Sequence, residues 1–124
     1  AHEVGHHVQN QLGILGQTMQ ARQQSSQADA NRISVMTELQ ADCFAGIWAR
    51  QANEMFGTLQ PGDIEEAMNA AAAVGDDRLM EKAGRAPMRD SFTHGSSAER
   101  QEWFDRGFNS GELAQCNTFK AAGL

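Results

Sequence analysis

The stretch 37-TELQADCFAGIWA-49 decides the fold of this chain. Its apolar residues recur at intervals of three and four, which is the period of one helical face. The pattern predicts a helix over about residues 33–56 with an apolar stripe made of Met36, Leu39, Cys43 and Ile47. Ala45 and Ala49 lie on the opposite face, where their small side chains allow another helix to approach closely. The stretch therefore predicts a helix packed among other helices.

Two acidic residues of the same stretch, Glu38 and Asp42, are four positions apart and share one helical face. That face lies roughly 140° from the apolar stripe. Acidic pairs of this kind are commonly solvated surface, and this interpretation stays open at this point. In the alternative, Glu38 ligates a metal, and Asp42 accepts the free N–H of a ligating histidine and fixes its tautomer.

Upstream, the chain begins 1-AHEVGHHVQNQLG-13, which contains the pattern H-E-x-x-H. On a helix predicted over about residues 2–20, His2 and His6 point the same way and can bind one ion. Glu3 lies about 100° round the helix, where it can act as a general base on a metal-bound water. A surface helix that carries histidines by chance is the alternative. Against that alternative stands an apolar stripe roughly 140° away from the histidines, formed by Val4, Val8, Leu12, Leu15 and Met19.

A catalytic zinc site needs three protein ligands and an open position for water, so two histidines are not enough. Glu38 is the candidate third ligand, with Asp42 as its neighbour one turn on. His94, in the segment 92-FTHGSS-97, leaves three interpretations open. It could donate a hydrogen bond to the oxyanion formed from a peptide carbonyl, replace Glu38 as the third ligand, or only support the start of the next helix.

Further helix signals follow downstream. Pro61 and Gly62 form a turn before a helix predicted over about 64–74, which Asp63 can cap. A short helix is predicted over about 77–83, and Ser96 with Glu99 forms a capping-box pair that opens a helix over about 97–109. No segment reads as a convincing strand. The fold class is therefore mainly α, with residues 1–124 forming one helical unit.

Composition narrows the classes of function. The 124 residues carry a net charge of −6 and a pI near 5.1, which argues against a nucleic-acid partner because phosphate contacts need a basic face. No apolar run approaches the roughly 20 residues that span a bilayer. Since the chain begins one residue before the histidine motif, we expect it to be a fragment of a longer protein. From composition alone, a Cys43–Cys116 disulfide and two free thiols are equally compatible.

Together, these motifs make the sequence resemble the bacterial neutral zinc metallopeptidase family. Members of that family look like glutamate-zincins that are attached to the membrane by an N-terminal segment. The resemblance covers nearly the whole chain, and its motifs occur in the expected order. They are HEVGHHVQ, ELQADCFAGIWA, PGDIEEAMNAAAAVGDDRL, DSFTHGSSAERQEWFDRGF and CNTF.

The resemblance implies one zinc ion, with His2 and His6 as ligands and Glu3 as general base. By analogy with other zincins, it implies Glu38 as the third ligand and Asp42 as its support. It also implies an extracytoplasmic domain, which favours the Cys43–Cys116 disulfide. Family members carry a stretch before the motif, including the membrane anchor, and in zincins that part supplies a small sheet whose edge strand holds the peptide. We expect that sheet to be missing from this fragment, which leaves open whether the fragment is active alone.

The sequence therefore predicts the helical C-terminal part of a zinc-dependent peptidase that acts on a peptide or protein substrate, without nucleic acid. Self-association is a further expectation, because a truncated domain exposes apolar surface. The alternative is a zinc-binding helical module for interaction or regulation, without turnover. A metal-free helical scaffold is the third possibility. The presence of Glu3 counts against the zinc-binding module without turnover, because a structural zinc site needs no base.

Overall fold

A computed structural model describes residues 2–57 and 60–123, without the side chains of Pro61 and Asp90. Within these ranges the chain forms helices and no strand, which confirms the mainly α prediction. None of these helices combines the length and apolarity needed to cross a membrane. The α-helices are α1 His2–Gln11, α2 Ile14–Gln23, α3 Gln27–Phe56, α4 Pro61–Ala73, α5 Asp76–Lys82, α6 Ser97–Ser110 and α7 Thr118–Ala121, with 3₁₀ turns at Arg89–Ser91 and Leu113–Cys116.

Helix α3 is the centre of the fold. It begins after Ser26, whose hydroxyl accepts a hydrogen bond from the backbone N–H of Asp29, and it ends at Gly57 in the left-handed conformation. Helices α1, α2, α6 and α7 all pack against it. Its apolar stripe is the core of the molecule, where the buried side chains are Val35, Leu39, Cys43, Phe44, Ile47, Phe92, Trp103 and Cys116.

Two glycines allow α6 to lie directly on α3. A Cβ atom at Gly46 would collide with the backbone of Phe104, and a Cβ atom at Gly107 would collide with the carbonyl of Cys43. Beside this crossing, Ala45 and Ala49 are buried against Phe104 and against apolar side chains of α4. Helices α4 and α6 therefore pack closely on the glycine and alanine face of α3, because no large side chain separates the backbones.

Helix α1 crosses α3 in the same way, through Gly5. A Cβ atom at this position would overlap the backbone carbonyl of Ala41. Gly5 and Gln9 are the buried residues of α1, and Val8 beside them packs, partly buried, against the apolar core. This contact fixes which side of α1 faces α3.

The prediction of one helix over 2–20 is wrong. Gly13 adopts a φ of 76°, which breaks the segment into α1 and α2. Because the chain changes direction there, the apolar spacing across the break does not define one face. Leu12 and Met19, assigned to the buried stripe, are 55% and 54% exposed.

The other boundaries differ by smaller amounts. Helix α3 begins at Gln27 rather than near residue 33, because the cap at Ser26 starts it earlier. Helix α4 begins at Pro61 rather than near residue 64, because proline fits the first helical position and Gln60 and Asp63 form the capping box. Helix α5 begins and ends one residue earlier than predicted, and α6 ends one residue later.

The C-terminal segment is tied to α3 at two points. Cys43 and Cys116, both fully buried, form a disulfide across 73 positions of sequence. Two residues on, the Thr118 hydroxyl donates to the Met36 carbonyl at 2.6 Å. A segment with only a weak helical signal is thereby ordered by long-range contacts.

The glycine crossing of α3 and α6 predicts opposite effects for two alanine substitutions. Gly107→Ala should lower the free energy of unfolding by about 2 kcal/mol or more, because its methyl group meets backbone that cannot move aside. Gly16→Ala, in open space on α2, should raise it by about 0.5–1 kcal/mol through helix propensity. Urea unfolding of both variants measures this; equal effects would contradict the crossing.

Candidate metal centre

The crossing of α1 over α3 brings three side chains to one point. Nε2 of His2 and Nε2 of His6 lie 2.9 Å and 2.8 Å from the same oxygen, Oε2 of Glu38. The two imidazole rings meet edge to face, with centroids 4.5 Å apart and an interplanar angle of 90°. All three side chains are half-buried, so the cluster is open to solvent on one side.

These three residues fit a zinc ion. Their ligand atoms lie within 4.8 Å of one another, and in the described ranges this is the one group of three or more such side chains that converges. Ligand atoms around a tetrahedral zinc lie roughly 3.3 Å apart, given bonds of about 2.0–2.2 Å to nitrogen and oxygen. Two imidazoles and one carboxylate leave the fourth position open, which is the donor set of a catalytic site.

The second nitrogen of His2 is held by a buried ion pair. Nδ1 lies 2.8 Å from Oδ1 of Asp42, which is 3% exposed. Arg100 donates to both carboxylate oxygens of Asp42, at 2.9 Å and 3.1 Å. The carboxylate thus has a cationic partner in the interior and orients the imidazole from behind.

The second nitrogen of His6 also has a protein partner. Nδ1 lies 2.9 Å from Oε1 of Gln9, a residue with no exposed surface. Sequence analysis missed both Gln9 and Arg100. The spacing of Gln9, three residues after His6 on one helical face, was a usable signal. Arg100 is 58 positions from Asp42, and nothing local indicates their pairing.

The electrostatics of the cluster favour opposite charges on its members. Hydrogen bonds that His2 donates to Asp42 first and to Glu38 second, opposed by burial, raise its pKa from 6.5 to about 9. Burial raises the pKa of Glu38, but the hydrogen bond from His2 and the nearby histidines outweigh it, so the net shift is downward. In the metal-free protein a proton on His2 therefore offsets the Glu38 carboxylate, while Arg100 pairs with Asp42.

Glu3 and His94 are not among the three residues whose ligand atoms converge. Glu3 is in the first turn of α1, between the two histidines, with an exposed side chain. His94 is half-exposed, and its Nε2 lies 3.8 Å from Oε1 of Glu38. The structure thus brings His94 to the rim, while the three converging ligand atoms belong to other residues.

The loop that carries His94 is held by one carboxylate. Oδ2 of Asp76 accepts hydrogen bonds from the backbone N–H groups of Thr93, His94 and Gly95, at 3.0 Å, 2.7 Å and 2.8 Å. Ser96 and Glu99 complete the capping box that the sequence predicts. The start of α6 is therefore capped without the His94 side chain, which leaves that imidazole facing Glu38.

The raised pKa of His2 predicts a pH-dependent stability for the metal-free protein. A group whose pKa rises on folding stabilises the fold fully below its unfolded value of about 6.5, and this contribution is lost as the pH rises through about 9. With chelator present, the wild type should exceed His2→Gln by on the order of 1–3 kcal/mol more at pH 6 than at pH 9.5. Urea unfolding at both pH values measures this. An equal difference at the two pH values would contradict it.

Comparison with known proteins gives the family of this chain. The family model described as "Putative neutral zinc metallopeptidase" matches residues 1–119. The Escherichia coli K12 protein YpfJ is 56% identical over 119 residues, which are 96% of this chain and 41% of YpfJ. The Mycobacterium bovis protein Mb2605 is 45% identical over 133 residues, covering 100% of this chain and 44% of that protein.

The chain spans about two fifths of the length of these curated relatives. No solved structure matches it. Because the family model covers residues 1–119, including the three converging residues, this chain belongs to the neutral zinc metallopeptidase family.

Proposed function

We propose that this chain carries the metal centre of a zinc-dependent peptidase, with a peptide or protein as substrate. One observation carries the proposal. Nε2 of His2, Nε2 of His6 and a carboxylate oxygen of Glu38 converge, while the second nitrogen of each imidazole is occupied by a protein acceptor. In such an arrangement the Nδ1 atoms are held by protein acceptors and the Nε2 atoms are free to bind a metal. This is typical of a metal-ligand set rather than of a random surface cluster.

In this proposal His2, His6 and Glu38 hold the ion, and Asp42 and Gln9 keep protons on the far nitrogens of the two histidines. A zinc ion held there would lower the pKa of a water molecule and polarise the peptide carbonyl. Glu3 would be the residue that takes a proton from the attacking water and returns it to the leaving nitrogen. Its exposed position in the first turn of α1 fits a group that must reach both water and substrate.

His94 is proposed to donate a hydrogen bond to the substrate oxygen as negative charge develops on it. Three features support this role. The imidazole is half-exposed at the rim, its Nε2 faces Glu38, and its Nδ1 lies 2.9 Å from the Thr93 hydroxyl. The carboxylate of Asp76 holds the loop through three backbone N–H groups, and its Oδ1 lies 3.7 Å from Nδ1 of the imidazole.

We propose an extracytoplasmic location for this activity. The support is the fully buried disulfide between Cys43 and Cys116, because disulfides form and persist in oxidising compartments. A peptidase placed there meets extracytoplasmic or surface proteins as substrates. The net charge of −6 disfavours nucleic acid as an alternative partner.

The three-ligand assignment predicts the zinc content of two variants. Wild-type protein purified without added metal should hold about one zinc per chain, and Glu38→Ala should lose most of it because two ligands remain. Glu54→Ala, an exposed glutamate on the same helix, should keep the wild-type content. Elemental analysis provides the measurement, and zinc retained without Glu38 would move the third ligand to another residue.

The assignment of Glu3 predicts a separation of binding from turnover. Glu3→Gln should lower peptide cleavage by about 10²–10⁴-fold while the zinc content stays unchanged, because the base is lost and the ligands remain. Glu65→Gln, an exposed glutamate on α4, is the matched control. Cleavage of a casein-type substrate and zinc content are measured on the same samples of the full-length protein. Zinc without cleavage in the full-length wild type would favour the interaction module instead.

A further inference from the structure

We propose that Gln9, Gln40 and the main-chain carbonyl of Cys116 form a directional hydrogen-bond relay that fixes the proton of His6 on Nδ1 and presents Nε2 to the metal. In this relay Gln9 and Gln40 are positioning residues, and the inference rests on the proposed function. The direction of the relay follows from which atoms can only accept a hydrogen bond.

The relay begins at Cys116. Its carbonyl oxygen can only accept, so the group of Gln40 that lies 3.1 Å away must be the amide nitrogen. This removes the usual ambiguity between the oxygen and nitrogen of a glutamine side chain. The oxygen of Gln40 consequently faces the other way, toward Gln9.

Gln9 is then fixed by two acceptors. Its amide nitrogen donates to the Thr37 carbonyl at 2.7 Å and to Oε1 of Gln40 at 2.9 Å, which uses both amide hydrogens. The remaining atom, Oε1, lies 2.9 Å from Nδ1 of His6 and can only accept. Nδ1 of His6 must therefore carry a hydrogen, and Nε2 is the nitrogen left to bind a metal.

Burial prevents water from substituting for any member of the relay. Gln9 has no exposed surface, and Gln40 is 6% exposed. A reversed Gln9 amide would place its oxygen against two other oxygens and its nitrogen against the N–H of His6. Three buried hydrogen bonds would be lost together, since leaving such groups unsatisfied is strongly unfavourable.

The starting point of the relay is covalently anchored. Cys116 is joined to Cys43, which lies one turn after Gln40 on α3. The disulfide therefore holds the Cys116 carbonyl, which sets the direction of the relay, against α3, the helix that carries Glu38. The core disulfide and the metal ligand His6 are connected through two side chains only.

The consequence for the metal centre is chemical. An imidazole with its proton on Nδ1 has its lone pair on Nε2, the atom that lies 2.8 Å from Glu38 Oε2. A hydrogen bond at Nδ1 also raises the basicity of the ligand and holds the ring orientation. Loss of such a partner typically costs 10–100-fold in metal affinity.

The experiment measures the zinc dissociation constant, by competition with a chromophoric chelator, for Gln9→Met, Gln40→Met and the double variant. We expect a 10–100-fold weaker affinity for Gln9→Met, a smaller loss for Gln40→Met, and a combined loss below the product of the two, because both act through one path. Gln101→Met is the matched control, since Gln101 also donates to a main-chain carbonyl, that of Met68, and should keep the wild-type affinity.

A second readout separates positioning from general stability. In the zinc-loaded wild type, proton NMR should show a slowly exchanging Nδ1–H resonance of His6, and this resonance should be lost in Gln9→Met. If Gln9→Met does not fold, Gln40→Met provides the test. It removes the side-chain oxygen that accepts from Gln9, which is one step further from His6. Wild-type zinc affinity in both glutamine variants would overturn the relay alone. A wild type that binds no zinc would overturn the proposed function and the relay with it.

Discussion

The contact between Gly5 and the backbone of Ala41 is the constraint on which the candidate site depends. The histidines lie three residues before and one residue after Gly5, and Glu38 and Asp42 occupy the same offsets from Ala41. Two helices that touch at these points therefore bring their i, i+4 pairs face to face. A side chain at Gly5 would hold the helices apart, and the imidazoles would no longer reach the carboxylate.

Next to this crossing, the interior contains polar side chains that are hydrogen-bonded to one another. Asp42 and Arg100 are both almost fully buried, and each would be costly without the other. Gln9 and Gln40 form the equivalent support on the other side. Among the described residues, no buried side-chain nitrogen or oxygen lacks a hydrogen-bond partner. This arrangement specifies one packing of α1 on α3, since a shifted helix would leave charges and amides unsatisfied.

The part of the candidate site that lies on single helical faces could be predicted from the sequence. The histidine pair and the Glu38–Asp42 pair are visible because each lies on one helical face. The kink at Gly13 was missed because the apolar spacing continues across it, and only the positive φ breaks the helix. Arg100 was beyond prediction for a different reason. A lone arginine on an amphipathic helix looks solvated until the fold places Asp42 beside it.

The apolar core and the candidate metal ligands lie on different faces of α3. Leu39, Cys43 and Trp103 pack on the side away from Glu38, so burial of the core needs no ion. The second nitrogens of the two histidines are held by Asp42 and Gln9, and a proton on His2 offsets the Glu38 carboxylate. Small zinc domains fold only when the metal binds, because they lack such partners. In this chain the candidate ligand atoms already converge without an ion, so their geometry does not depend on metal-coupled folding.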